Sequence, residues 1–144
     1  MRKCWPTLIA FIAAPAGFAQ GVETGALIQS NTFTGLITND GVISGFGLDT
    51  GLHIVTTGTH TGDIVNNNLI SASGNALHVE IGTHVGSIIN TGTIEATLAG
   101  ATAVLLEVDS GTTFENSGGG LVLGDIVFGG KAAYDFVGED GGVE

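Results

Sequence analysis

The sequence predicts an all-β fold, a right-handed parallel β-helix (β-solenoid) of four to five coils with about 25 residues in each. The first observation is an internal repeat, G-x-I-x-N-x-G/N-x-I-x-G/A, which begins at Gly35, Gly62 and Gly86 and recurs in degraded form from Phe114. The second is that apolar and polar residues alternate with the period of two that is typical of strands. Residues 20–144 contain no long stretch with the 3.6-residue period of a helix.

Residues 1–19 have the features of a secretory signal peptide. Two basic residues near the start precede an apolar run over residues 8–14, and small residues alternate up to Ala19. The apolar run is much shorter than the roughly 20 residues that span a bilayer. We therefore expect export and cleavage after Ala19, which leaves a mature chain that begins at Gln20.

The predicted mature chain is strongly acidic. It contains one basic residue, Lys131, against fourteen acidic residues. Because it has almost no positive charge to neutralise phosphates, nucleic acids are excluded as partners. The single cysteine, Cys4, lies in the predicted signal peptide, so no disulfide can stabilise the mature chain. Stability must then come from apolar burial and backbone pairing.

Each repeat contains three short strand-like runs separated by Gly, Asn, Asp or Ser. Because these runs point in different directions, we expect each to pair with its counterpart in the next repeat, about 4.8 Å away. Residues 20–34 are predicted to form an N-terminal capping segment and residues 35–130 the coils, with turns at Gly58, Gly82 and Gly111. The predicted inward columns are Ile37, Ile64, Ile88 and Phe114 on one wall, Ile43, Ile70, Ile94 and Val122 on the second, and Leu52/Ile54, Leu77/Val79, Val104/Leu106 and Ile126/Phe128 on the third.

One asparagine recurs at the same place in every copy of the repeat. Asn39, Asn66, Asn90 and Asn116 are separated by 27, 24 and 26 residues. In a parallel stack of similar coils, amide side chains at one position hydrogen-bond along the axis. We therefore expect these four residues to form a ladder that closes a turn in each coil.

The last residues have the pattern of a further coil. Residues 134–138 match the opening strand of a coil, and the sequence stops before that coil is complete. A solenoid needs a polar cap to protect its terminal edge. We therefore expect residues 131–144 to be the start of an incomplete coil and the chain to be part of a longer protein, truncated at the C-terminus.

The repeat resembles the passenger region of autotransporter-type surface proteins of Gram-negative bacteria. The resemblance rests on the signal peptide, on the repeat at Gly86–Ala96 and on the A-L-H-V-x-x-G piece at Ala76–Gly82, and it extends over residues 35–130. It implies export through the Sec pathway to the outer membrane, cell surface or medium, and a β-barrel translocator encoded further downstream. It also implies a non-enzymatic stalk for adhesion or display, whose partner is a molecule on a host or neighbouring cell, or a second copy of the chain.

Four polar side chains are expected on the outer face of the third wall. His53 and His78 should stack there on neighbouring coils, and Glu80 and Glu107 should stack two residues further along. Two imidazoles without a converging carboxylate or thiol make a weak metal site. We therefore predict no metal, no cofactor and no catalytic residue, and regard the four side chains as possible surface contacts. A second histidine stack, at a corner of the coil, is expected from His60 and His84.

An alternative function uses the same wall. In this interpretation the chain is a glycan-binding or glycan-processing β-helix, in which His78, Glu80 and Glu107 face the sugar. Glycan recognition would make these side chains the functional centre, whereas a stalk needs them only as solvated surface.

Overall fold

The computed structural model describes residues 24–45, 49–109, 112–129 and 134–138, the last of these as backbone only. Within these ranges the chain forms strands joined by turns and bends, and it contains no helix, which confirms the prediction of an all-β fold. None of the described residues belongs to a helix of the length and apolarity that a membrane span requires. The predicted signal peptide, residues 1–19, lies outside the described ranges.

Three parallel sheets form the walls of the solenoid, and successive coils add strands to each of them. Sheet A consists of β1 (Thr24–Ser30), β5 (Thr50–Thr61), β8 (Asn75–Val85), β11 (Thr102–Val108) and β14 (Asp125–Gly129), with the short β2 (Phe33–Thr34) paired to β5. Sheet B consists of β3 (Ile37–Asn39), β6 (Ile64–Asn66), β9 (Ser87–Asn90), β12 (Thr112–Asn116) and β15 (Tyr134–Gly138). Sheet C consists of β4 (Ile43–Gly45), β7 (Leu69–Ala72), β10 (Thr93–Ala96) and β13 (Leu121–Leu123).

Successive coils stack in register, so that each residue lies beside its equivalent in the next repeat. The aligned columns are Ile37, Ile64, Ile88 and Phe114 in sheet B, and Ile43, Ile70, Ile94 and Val122 in sheet C. The backbone of β15 pairs with β12, which continues the stack into residues 134–138. With about four turns of about 26 residues, the structure confirms the predicted parallel β-solenoid.

The turns predicted at Gly58 and Gly82 are wrong, because both glycines lie inside long strands. β5 has 12 residues and β8 has 11, and the pairing between them shifts by one residue at this point. Such a bulge bends a strand without ending it. A β-carbon on Gly58 would lie 2.6 Å from the carbonyl oxygen of Asn31 in the neighbouring coil, so the close approach requires glycine. The third predicted turn, at Gly111, lies outside the described residues.

The three sheets enclose a core of aliphatic side chains. The cavity between the walls measures about 20 Å³, which leaves room for about one water molecule. A further buried column on sheet A, absent from the sequence prediction, consists of Thr56, Ile81 and Val108. Phe128, predicted to face the core, is 41% exposed, because β14 is the last strand of sheet A among the described residues.

The first three copies of the repeat open with a glycine, and at Gly62 and Gly86 this allows two coils to approach closely. Gly62 has a φ of 133°, and a β-carbon there would overlap the carbonyl group of Gly35 in the preceding coil. Gly86 stands in the same relation to Gly62. A side chain at these positions would therefore push the coils apart as well as strain the backbone.

Buried asparagines form a continuous hydrogen-bonded ladder along the axis. The Nδ2 of Asn39 donates to Oδ1 of Asn66 at 2.7 Å, that of Asn66 donates to Asn90 at 2.8 Å, and that of Asn90 donates to Asn116 at 2.7 Å. At the end of the ladder, the Nδ2 of Asn116 donates to the carbonyl oxygen of Gly120 at 2.8 Å. The ladder thus supplies hydrogen-bond partners to side-chain amides that are shielded from water, where an unpaired polar group is costly.

The same side-chain nitrogens also tie sheet B to sheet C. In each case the acceptor is the carbonyl oxygen of the first residue of the sheet C strand in the next coil. The pairs are Asn39 with Leu69, Asn66 with Thr93, and Asn90 with Leu121, at 3.2–3.3 Å. The asparagine ladder therefore holds the corner between two walls in each coil and joins that corner to the next coil.

Replacing Asn90 with alanine should lower the free energy of unfolding by about 2–4 kcal/mol, because the buried Oδ1 of Asn116 loses its donor and Nδ2 of Asn66 loses one of its acceptors. The matched control is Asn67→Ala, which removes an exposed amide that bonds Asp40 at 2.7 Å and should cost less than about 1 kcal/mol. Urea unfolding followed by circular dichroism measures both. Equal losses in the two variants would contradict a special role for the ladder.

Candidate functional site

The candidate site lies on the outer face of sheet A, at two histidines that strand pairing brings together. His53 of β5 lies beside His78 of β8, and both side chains point away from the core. The two rings stack in parallel, with their centroids 4.3 Å apart and 6° between their planes. Since 25 residues separate the two in the sequence, only the register of the coils makes them neighbours.

Two carboxylates reach this histidine pair from the following coils. The Nε2 of His78 lies 2.7 Å from Oε2 of Glu107, and the Nε2 of His53 lies 3.7 Å from Oε2 of Glu80. In both pairs the glutamate is one coil further on and two residues further along its strand. The structure thus brings together all four side chains that the sequence singled out as surface contacts. We call His53, His78, Glu80 and Glu107 the His–Glu cluster.

Potential metal ligands converge within the His–Glu cluster. One ligand atom from each of His53, His78 and Glu80 lies within 4.8 Å of the other two. The side chains of His53 and His78 are 23% and 15% exposed, whereas that of Glu80 is 55% exposed. The sequence-based expectation of a weak metal site assumed that no carboxylate converges on the histidines, and the structure places two beside them. Sequence reasoning missed this because the contacts are diagonal between strands.

Burial sets the protonation of His53. It lowers the pKa of the imidazole below its ordinary value of 6.5, and the neighbouring His78 lowers it further, while Glu80 and Glu107 act in the opposite direction. His53 is therefore neutral at pH 7. Its Nε2 is shielded from solvent and has no hydrogen-bond partner among the described residues.

A groove of about 380 Å³, lined in part by Glu80 and Glu107 of the cluster, lies on the same wall. Ionised carboxylates accept hydrogen bonds and donate none. The groove therefore suits a cation or a ligand that is rich in hydroxyl groups. The residues that line it are Val55, Thr56, Thr57, Glu80, Ile81, Gly82, Glu107 and Asp109.

The second predicted histidine stack lies inside the solenoid. His60 and His84 are buried, and their rings are 5.1 Å apart and almost parallel. The Nε2 of His60 donates to the carbonyl oxygen of Gly35 at 3.1 Å, and the Nε2 of His84 donates to that of Gly62 at 3.0 Å. The Nδ1 of His84 accepts a hydrogen bond from the hydroxyl group of Thr112 at 2.6 Å. Through these hydrogen bonds, each of the two histidines links its own coil to the glycine that opens a repeat.

Comparisons with known proteins do not assign the chain to a family. No family model, no curated protein and no solved structure matches it. The solenoid and the His–Glu cluster are therefore the features that bear on function. Both form only when coils stack, because their residues are far apart in the sequence and meet through strand pairing.

Acidification should destabilise the fold through His60 and His84. Burial lowers the pKa of both imidazoles below 6.5, although their hydrogen bonds to backbone carbonyls oppose this effect. The unfolded chain therefore binds protons first as the pH falls, so this contribution to stability is complete above about pH 6.5 and is lost progressively below it. Urea unfolding from about pH 8 to about pH 5 measures the dependence.

The control for this pH dependence is the double variant His60→Gln/His84→Gln. It removes the two buried imidazoles and leaves the His–Glu cluster intact, in which His53 still titrates below its ordinary pKa. We expect most of the loss of stability between about pH 6.5 and pH 5 to disappear in this variant. An unchanged slope would show that other groups cause the acid destabilisation.

Proposed function

We propose that the chain is a non-enzymatic segment of an exported, autotransporter-type surface protein and forms a rigid stalk for adhesion or surface display. The observation that supports this most directly is the in-register stacking of coils in three parallel sheets, from Thr24 to Gly138. In such a stack each coil contacts its neighbours, and length grows by the addition of coils. A stalk needs this combination of extension and repetition.

The filled interior supports a structural role. Its cavity of about 20 Å³ is far smaller than the roughly 300–1,000 Å³ of a small-molecule pocket. Any ligand or partner must therefore bind on the outer face. On that face equivalent side chains of successive coils are arranged in columns along the axis.

Rigidity would come from the arrangement of the three walls. Bending the stack in any direction lengthens the hydrogen bonds between coils on at least one wall. The asparagine ladder adds three side-chain hydrogen bonds in series at the corner between sheets B and C. Sheet A resists separation through the longest paired strands, β5 and β8.

The sequence of residues 1–19 supports export, and the acidic composition of the rest of the chain supports solubility outside the cell. The predicted partner is a molecule on a host or neighbouring cell, or a second copy of the chain. A β-barrel translocator encoded downstream would carry the segment across the outer membrane.

Expression in a Gram-negative host tests the proposal. Placed ahead of a heterologous outer-membrane translocator, with an epitope inserted after Gln20, the chain should be labelled by antibody on intact cells. Its N-terminus should be Gln20, because signal peptidase removes residues 1–19. The control Ile12→Arg breaks the apolar run and should keep the chain in the cytoplasm with its N-terminus intact. Labelling of the unmodified chain only after permeabilisation would contradict surface display.

We propose glycan binding as a second candidate function, favoured by the groove beside the His–Glu cluster. Its carboxylates, from Glu80, Glu107 and Asp109, can accept hydrogen bonds from sugar hydroxyl groups. Outward side chains on rigid strands would hold these acceptors at fixed positions along the wall. The groove, rather than the core, would then define specificity.

An oligosaccharide panel tests this second candidate. The variants Glu80→Gln and Glu107→Gln should each weaken binding by about tenfold, since loss of one charge-assisted hydrogen bond costs about 1.5 kcal/mol or more. Glu95→Gln, on sheet C, is the matched control and should bind like the unmodified chain. Absence of binding to every sugar in the panel would reject the candidate.

A further inference from the structure

We propose that the His–Glu cluster is a zinc-binding site, in which His53, His78 and Glu80 are the ligands. Their ligand atoms already lie within 4.8 Å of one another. Zinc binds imidazole nitrogen at about 2.0–2.1 Å and carboxylate oxygen at about 2.0–2.2 Å, so tetrahedral ligand atoms lie roughly 3.3 Å apart. Glu80, the most exposed of the three side chains, can close this gap by rotating about its side-chain bonds.

The ligand set selects the class of metal. Imidazole nitrogens suit zinc and neighbouring transition metals, whereas calcium and magnesium prefer sites made entirely of oxygen ligands. The carboxylates of Glu80 and Glu107 offset the charge of a divalent ion. Three protein ligands leave a fourth position for water or for a group from a partner.

The hydrogen bonding of the two imidazole rings favours metal binding. The shielded Nε2 of His53 has no hydrogen-bond partner in the part of the chain that the structure describes, and a metal would satisfy it. Glu107 holds His78 through a 2.7 Å contact to Nε2, which leaves Nδ1 of His78 as the nitrogen that would bind the metal. Ligating histidines commonly have a carboxylate on their second nitrogen, which orients the ring. Glu107 is therefore a positioning residue for the site.

The cluster joins three coils of sheet A. His53 lies on β5, His78 and Glu80 lie on β8, and Glu107 lies on β11. Because the ligands come together only when these coils stack, the metal binds the folded chain and not the unfolded one. Zinc should then stabilise the solenoid by mass action, as any ligand of the folded state does. The site would act as a staple on the outer wall, beyond the proposed role of the chain as a stalk.

The test is zinc titration of the full chain, purified without a polyhistidine tag and freed of metal with a chelator. Calorimetry should give one zinc ion per chain with a Kd in the micromolar range or below, and zinc should raise the Tm by several degrees. Substitution with Co²⁺ should give the intense visible absorption of a tetrahedral site. Absence of saturable zinc binding would overturn the proposal.

Matched variants assign the ligands. His53→Gln and His78→Gln should each weaken zinc binding by more than about 100-fold, whereas Glu107→Gln should weaken it by about 10- to 100-fold, as loss of an outer partner does. Glu95→Gln should bind zinc like the unmodified chain. The Tm of the metal-free variants shows that each one folds. Unchanged zinc affinity in the double variant His53→Gln/His78→Gln would place the metal elsewhere and overturn the assignment.

Discussion

The stacking of equivalent residues in successive coils is the interaction on which the rest of the structure depends. Within one coil the strands lie in three different sheets, so their backbone groups find partners only in neighbouring coils. The asparagine ladder follows the same rule with side chains. A buried amide such as that of Asn90 is stable because it accepts from Asn66 and donates to Asn116. The ladder and the sheets thus stabilise each other.

Stacking also acts on the outer face, where it turns one residue of a repeat into a column. His53 and His78 form such a column, and Leu105 ends it in the next coil. Glu107, two residues beyond Leu105, bonds back to His78, and Glu80 approaches His53 by the same diagonal one coil earlier. Two neighbouring columns, one of histidines and one of glutamates, therefore combine into the His–Glu cluster.

The stalk is compatible with either zinc binding or glycan binding, because a stalk and a binding site on the outer wall use different parts of the molecule. A stalk depends on the core columns and on the asparagine ladder, which are buried. A zinc site or a glycan groove depends on outward side chains of sheet A, which the core does not need. Substitutions on that wall can change what the stalk binds while the coils remain stacked. This separation is general in solenoids, where backbone pairing supports the fold and surface columns supply function.

The sequence by itself determined the architecture: the 24- to 27-residue spacing of Asn39, Asn66, Asn90 and Asn116 and the alternation of apolar residues predict the coils, their register and most inward columns. The sequence did not determine the path of sheet A, because β5 has one more residue before His60 than β8 has before His84. His60 follows Ile54 by six residues, but His84 follows Val79 by five, so alternation alone assigns the two histidines to opposite faces. The tertiary structure places both inside, because the bulge absorbs the extra residue. The tertiary structure also brought the His–Glu cluster together, because its contacts run diagonally between neighbouring strands. Those contacts depend on how the side chains of successive coils are offset, and the periodicity of the sequence does not encode that offset.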